Sequence, residues 1–255
     1  MAPSARVDKQ PLRERVWNDL EASGEARFPF PPHGRIPNFA GADEAAERLA
    51  ATEEWAAADA VKANPDAPQL PVRRRALREG KTVYMAVPRL RDERCFMELD
   101  PATIDDVDER SSSASQTASD AIDAAATISS ADDYATRVGP DAVESIDLVV
   151  SGSVAVTEDG ARVGKGEGYS DLEYALLREV GLVSDDTPVA TTVHERQVVD
   201  DAVDVEPHDV PMDLVVTPGR EIRTETAFER PSGIDREALD DGQVEAIPVL
   251  ASVLE

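Results

Sequence analysis

Apolar residues recur at spacing four over residues 9–22, which puts Leu12, Val16 and Leu20 on one face of a predicted helix whose first turn suits Pro11. Residues 27–42 (RFPFPPHGRIPNFAGA) break the pattern with Pro and Gly and read as a loop. An Ala-rich helical pattern runs from Asp43 to about Ala60, and the short segment 60–64 precedes a Pro-Asp-Ala-Pro break. Residues 72–79 predict a helix ending at Gly80, and residues 81–88 a strand. Residues 111–133 form a Ser/Ala/Asp tract with Ile122 and Ile128 as its only large apolar residues, a weakly packed helix or a flexible insertion. Apolar runs at 146–150, 188–193 and 213–216 read as buried strands. Between the first two, residues 171–180 place Leu172, Ala175, Leu176 and Val180 on one helical face.

Strands alternating with helices predict an α/β fold: a three-layer αβα domain with a doubly wound, mostly parallel sheet. A single domain is expected over residues 1–230, with 111–133 as an insertion or crossover. Residues 231–255 read as an extension that Ile247, Pro248, Val249 and Leu250 would dock back on the body.

Charge changes the picture. The 255 residues carry 26 Lys+Arg against 52 Asp+Glu, a formal net charge of −26, while hydrophobic residues at 41% suffice for a core. The excess is diffuse, which argues against nucleic acid as a partner, since phosphate backbones need Lys and Arg. It also makes a basic protein partner the lesser reading. Only Lys9, Lys62, Lys81 and Lys165 are lysines, and the other 22 basic residues are arginines. Dispersed carboxylates with scarce lysine suit a halophilic, high-salt cytoplasm, where counterions screen repulsion. No run of 18 apolar residues suggests a membrane span, and MAPSARVDKQ lacks the apolar stretch of a secretory signal. Cys95 is the one cysteine, which excludes an intramolecular disulfide. With three scattered histidines it also excludes a zinc site of ordinary composition. A cytoplasmic monomer acting on a small molecule is expected.

The most informative stretch is 159–171, D-G-A-R-V-G-K-G-E-G-Y-S-D, which follows a strand and opens a helix. Gly164, Gly166 and Gly168 alternate, so the backbone can turn several N–H groups toward an anion, and the helix N-terminus adds partial positive charge. Arg162 and Lys165 add full charges, and Asp171 could ligate Mg2+. A glycine-rich turn without a ligand is the competing reading, because the spacing is neither a Walker A loop nor a dinucleotide fingerprint. Lys9 and Arg13, four apart on one helical face, could clamp phosphates or be an ordinary solvated face. In Glu206–Asp213, His208 and Asp209 could serve acid–base chemistry or cap a turn. No G-x-S-x-G elbow supports a hydrolase.

Residues 160–171 resemble the glycine-loop motif of the 5-formyltetrahydrofolate cyclo-ligase (methenyltetrahydrofolate synthetase) family, which reads approximately G-x-R-L-G-x-G-K-G-Y-Y-D. Three further features agree in chain order: Lys9-x-x-x-Arg13, Val87-Pro88-Arg89, and Glu206-x-His208-Asp209 followed by Asp213. Arg35-Ile36-Pro37-Asn38-Phe39, Pro88-Arg89-Leu90-Arg91, Gly152-Ser153-Val154-Ala155-Val156 and Gly164-Lys165-Gly166-Glu167-Gly168-Tyr169 resemble the methenyltetrahydrofolate synthetase domain-containing subgroup. The resemblance covers about residues 5–250.

It implies MgATP-dependent conversion of 5-formyltetrahydrofolate, or a related pterin, to 5,10-methenyltetrahydrofolate. ATP phosphorylates the formyl oxygen, and N10 then closes the ring as phosphate leaves. It further implies that Lys9, Arg13, Arg162 and Lys165 hold phosphates, that Gly164, Gly166 and Gly168 cradle them, that Asp171 holds Mg2+, that Tyr169 lines the site, and that Asp66 stands at a folate-binding glutamate. Two positions depart from the family pattern. Glu167 stands where active members usually have a lysine, beside the triphosphate, and Ser170 replaces a second tyrosine. The alternative expectation is a regulatory protein that binds nucleotide or pterin without catalysis.

Overall fold

The computed structural model describes residues 7–104, 118–237, 239 and 241–254. Its strands in chain order are β1 (Ala26–Arg27), β2 (Asn38–Phe39), β3 (Ala60–Ala63), β4 (Thr82–Ala86), β5 (Phe96–Leu99), β6 (Thr136–Val138), β7 (Leu148–Val150), β8 (Ala155–Thr157), β9 (Arg162–Val163), β10 (Val189–Thr192), β11 (Val198–Val199), β12 (Leu214–Val216) and β13 (Glu221–Arg223). Its helices are α1 (Lys9–Ala22), α2 (Ala42–Ala50), α3 (Glu53–Ala57), α4 (Leu70–Arg78), α5 (Ala118–Ala126), α6 (Tyr169–Glu179), α7 (Asp241–Ala246) and α8 (Pro248–Val253).

Eight strands form one sheet in the order β13-β12-β10-β7-β3-β4-β5-β6. The five from β12 to β4 run parallel, and antiparallel strands close both edges. β3, β7, β10 and β12 are buried along their whole length, because helices cover both faces of a parallel sheet and leave no place for a polar stripe. Numbered by chain order among the parallel five, the spatial order is second-first-third-fourth-fifth. Right-handed crossovers therefore place α4, after β3, and α6, after β7, on opposite faces. This is a single αβα domain with a doubly wound sheet, as the alternation of elements predicts. Winding reverses between β3 and β7, and the crevice beyond the carboxyl ends of those strands is where such folds bind ligands.

A three-stranded sheet, β11-β8-β9, carries the glycine loop at its end. It packs on α1 through a second core in which Leu12, Val16, Trp17 and Leu20 meet Val154, Ala155, Ala161 and Val163. The spacing-four face of the first helix thus builds the support of the loop rather than the main core.

The structure corrects the sequence in two places. The pattern from Asp43 to about Ala60 is two helices, broken where Thr52 Oγ1 accepts the Trp55 N–H at 3.2 Å. That cap lets Trp55 turn into the core and donate through Nε1 to Glu79 at 2.6 Å. Strands β5 and β6 carry no clear period-two signal; their pairing on β4 and with each other defines them. Within the Ser/Ala/Asp tract, α5 buries Ala121, Ala125 and Ala126, small residues that let it pack on α4. Residues 111–117 of the tract lie outside the described residues. At the other end of the chain, Ile247, Val249 and Leu250 are buried in the main core.

Buried Arg73 of α4 ties α5 to the sheet. Its Nε donates to the Ala126 carbonyl at 2.9 Å, at the end of α5, and one terminal nitrogen donates to the carbonyls of Asn64 (2.5 Å) and Asp66 (3.1 Å) just past β3. A cation is favoured at a helix C-terminus, where carbonyls lack partners. Burial pulls the Arg73 guanidinium down to about 10, against the opposing charge of Asp66. Arg73→Met strips three carbonyls of a donor, and we expect it to destabilise the chain by about 1–3 kcal/mol in urea unfolding. Amide exchange should quicken at both 118–126 and 64–66; unchanged exchange in α5 would refute the tie.

Candidate functional site

A cleft of about 440 Å3 opens at the β3–β7 switch point. Its floor is the chain just past the two strands, Asn64–Asp66 and Gly152. One wall is the loop from β9 to α6, and the rim comes from α1, the Val87–Arg89 turn after β4, and the 206–209 turn before β12. The cleft brings together Lys9, Arg13, Asp66, Arg162, Gly164, Lys165, Gly166, Glu167, Gly168, Tyr169 and Asp171. These residues lie as far as 162 positions apart in the chain, and the switch point is what gathers them.

The glycines act through close approach and backbone turn. A Cβ on Gly164 would lie 3.0 Å from a terminal nitrogen of Arg162, and one on Gly166 3.3 Å from Cζ of Arg13. Gly166 (φ 101°) and Gly168 (φ 72°) adopt the left-handed conformation that other residues resist, and Gly168 caps α6. Among the described residues, the N–H groups of residues 165–168 donate to no backbone carbonyl, so they remain available to an anion.

Most of the cations are already partnered. Arg162 is buried, pairs with Asp171 and donates to the Gly152 carbonyl at 3.1 Å, while its Nε has no partner. Burial would push this guanidinium down, but Asp171 outweighs it and holds it above its ordinary value. The same Asp171 oxygen accepts the Val210 N–H at 3.1 Å. Lys9 reaches Asp209 at 2.5 Å and Glu206 at 3.4 Å. Glu167 lies between Lys165 (2.8 Å) and Arg89 (3.5 Å), and its bond to Lys165 depresses its carboxyl below the ordinary range. Arg13 differs, donating to the Gly164 carbonyl at 2.7 Å and to Gln10 at 3.1 Å, with no carboxylate in contact among the described residues.

Arg89 and Leu90 hold left-handed backbone at φ 59° and 51°, a strain of order 1–3 kcal/mol each that sits at the lip of the cleft. Arg89 belongs to the Pro-Arg motif of the sequence, but its pairing with Glu167 is visible only in the folded chain. A second feature that the sequence conceals lies beneath the floor. Lys62, inside β3, pairs with Glu173 of α6 at 2.5 Å and donates to Asn64 at 2.9 Å; Asn64 in turn donates to Ser170 at 3.2 Å. Both members of the ion pair are buried. The signal for it is a lysine in an apolar strand of a chain with four lysines.

Asp66 stands on the floor, where burial raises its carboxyl above the usual range and Lys165 opposes the shift. Glu206, His208 and Asp209 place ligand atoms within 4.8 Å of one another, and the Lys9 ammonium already contacts both carboxylates. Cys95 is buried with its thiol pushed up to about 12, which makes it an inert core residue.

The fold and this cleft define a doubly wound α/β protein with a glycine loop at its switch point. The sequence profile of the 5-formyltetrahydrofolate cyclo-ligase family matches residues 5–218, and the chain belongs to that family. It is 40% identical over 255 residues to the methenyltetrahydrofolate synthase domain-containing protein of Bos taurus, covering 99% of this chain and 63% of that protein. It is 41% identical to the mouse (Mus musculus) protein of the same name, covering 98% of this chain and 64% of that one. The chain thus spans somewhat under two thirds of these relatives' length. The NMR structure of Aquifex aeolicus 5,10-methenyltetrahydrofolate synthetase shares the fold at a TM-score of 0.50 and 15% identity, covering 90% of this chain and 97% of that one. Among the described residues, no helix is long and apolar enough to cross a membrane.

Two measurements probe the floor. Lys62→Met leaves the Glu173 carboxylate buried and unpaired and should destabilise by about 3–5 kcal/mol, with most of the loss restored in Lys62→Met/Glu173→Met. A double variant as unstable as the single one would show that the pair is not coupled. Because the Asp66 carboxyl is raised on folding, its contribution favours the folded state below the unfolded carboxylate range and is lost as pH rises through its folded value. Asp66→Asn should therefore raise the urea midpoint at neutral pH, and the gain should vanish at pH values where the aspartate is protonated in both states.

Proposed function

We propose that the protein catalyses the MgATP-dependent conversion of 5-formyltetrahydrofolate, or a related pterin, to the 5,10-methenyl form. The observation that carries this reading is the convergence of Lys9, Arg13, Arg162 and Lys165 with the unpaired N–H groups of the glycine loop at one cleft. Phosphoryl transfer calls for charge neutralisation and orientation more than for a strong base.

In this reading the loop N–H groups and Lys165 hold the phosphate to be transferred, and Arg13 reaches the same loop from α1. Arg162, locked by Asp171 and the Gly152 carbonyl, fixes the positive charge behind the loop. Tyr169 and Asp66 face the substrate, and Asp66, partly buried, is suited to hydrogen-bond a polar ring edge. A carboxylate oxygen suits magnesium, which would supply charge neutralisation to a bound phosphate. Asp171 would offer its second carboxylate oxygen, since only Oδ1 is engaged by Arg162 and Val210.

The pairing of Glu167 with Lys165 and Arg89 supports a second reading. A carboxylate already fills the place where a phosphate would meet both cations, which suits a protein that binds nucleotide or pterin without turning it over. The two readings separate in one assay: methenyl formation followed in the near ultraviolet in multimolar KCl, with ATP omitted as control. Catalysis predicts ATP-dependent formation by the unaltered chain and a roughly 100-fold or greater loss of kcat in Lys165→Met. A flat trace from folded protein that becomes ATP-dependent turnover in Glu167→Lys would establish the binder instead.

A further inference from the structure

The hydrogen bonds beneath the cleft run in one direction. An ammonium can only donate, so the atom of Asn64 that meets Lys62 Nζ at 2.9 Å must be the amide oxygen. That fixes the orientation of the amide and turns Nδ2 toward α6, where it donates to Ser170 Oγ at 3.2 Å. The Ser170 oxygen is the acceptor of this bond, so its own proton has to point elsewhere. Ser170 lines the cleft together with Asn64, Asp66 and Glu173. Among the described residues neither carboxylate takes the Ser170 proton; Glu173, one turn further along α6, receives Lys62 instead, at 2.5 Å. The series from Lys62 through Asn64 to Ser170 therefore ends in a hydroxyl whose proton is left for the cleft.

Burial makes the direction count. Lys62 is 1% exposed, Glu173 5% and Asn64 6%, so none of them can trade its partner for bulk water. A cation at the head of a series of bonds in a low-dielectric interior polarises each member and strengthens the last donor. A free serine hydroxyl accepts as readily as it donates, but here Asn64 occupies one lone pair and biases the group toward donation. Glu173 cancels the Lys62 charge, so the series delivers direction without net charge. That suits an uncharged oxygen, such as a ring carbonyl, better than a phosphate. It also uses Ser170, one of the two positions at which this chain departs from the family's glycine-loop pattern.

We propose that Lys62 and Asn64 position Ser170 as a one-way hydrogen-bond donor on the floor of the cleft, and that Ser170 selects a ligand ring with an oxo group at its facing edge over one with an amino group there. The choice of a pteridine ring rests on the pterin reading above; the direction of the relay does not.

Two compounds of one shape test the selection: pterin, with an oxo group at C4, and 2,4-diaminopteridine, with an amino group there. Each is titrated into the full chain in multimolar KCl at neutral pH, and binding is followed by the fluorescence of the pteridine. The oxo compound should bind roughly tenfold or more tightly, because the amino compound leaves a donor facing a donor. Ser170→Ala should abolish the preference, and Ser170→Thr, which keeps the hydroxyl, should retain it. A loss of packing would weaken both compounds alike and leave their ratio unchanged. A measurement without ligand follows the side-chain amide of Asn64 by NMR: Ser170→Ala should move one Nδ2 proton upfield and quicken its exchange. Pteridines that bind the wild-type chain without preference, or a preference that survives in Ser170→Ala, would overturn the proposal and leave the pterin reading standing. Failure of both compounds to bind the folded chain would remove the pterin reading. The Asn64 resonances then decide the relay alone: a shift in Ser170→Ala upholds the donor, and unmoved resonances overturn it.

Discussion

The reversal of winding between β3 and β7 is the constraint on which the rest of the molecule depends. Two parallel neighbours whose crossovers leave to opposite faces cannot have their carboxyl ends covered by the same helix, so a crevice opens there. The chain past those ends is left with polar groups to satisfy. Arg73 takes the carbonyls of Asn64 and Asp66 from one side. Lys62 and Asn64 reach Glu173 and Ser170 of α6 on the other. The floor of the cleft is therefore fixed by buried charges bonded to named partners, and α6, which carries the glycine loop at its start, is locked to the strand beneath it. A loop set on so rigid a base presents its N–H groups in one geometry, the condition for electrostatic stabilisation of a developing charge.

The electrostatics of the cleft follow from the composition of the chain. In a protein with twice as many acids as bases, cations gathered at one site attract carboxylates, and almost every cation there has one: Asp171 for Arg162, Asp209 for Lys9, Glu167 for Lys165 and Arg89. The pairs differ in how readily an incoming anion would displace them. The Arg162–Asp171 pair is buried and braced by two backbone groups, so it behaves as part of the scaffold. The Glu167 pairs lie at the exposed lip, where solvent screening makes an ion pair weak. In the proposed function a phosphate must displace Glu167 from Lys165, so that residue separates the catalytic reading from the binding one.

Much of this architecture is legible in the order of residues alone. The buried apolar runs at 146–150, 188–193 and 213–216 each hold a parallel strand, and the spacing of Leu12, Val16 and Leu20 gives the first helix. The glycine loop can be read because alternating glycines between a strand and a helix mark a backbone that must turn sharply. Where local preference is ambiguous, the pattern misleads. The Ala-rich stretch after Asp43 has no strong stop in composition, yet Thr52 ends one helix and starts another because Trp55 must reach the core. β5 and β6 lie toward one edge of the sheet, and their only reason to be strands is the neighbour they pair with.

The sequence by itself determined the fold class, the family and the glycine loop of the cleft, because hydrophobic period and motif spacing are local properties written along the chain. Only the tertiary structure decided which charges meet. It brought Lys62 of a buried strand against Glu173 of a distant helix, and set Glu167 between Lys165 and Arg89. It also set Ile234 against α6, where its N–H meets Glu179. Coulomb interactions and desolvation act through space at a few ångströms, and residues 78 or 111 positions apart come that close only when the sheet has set their elements side by side.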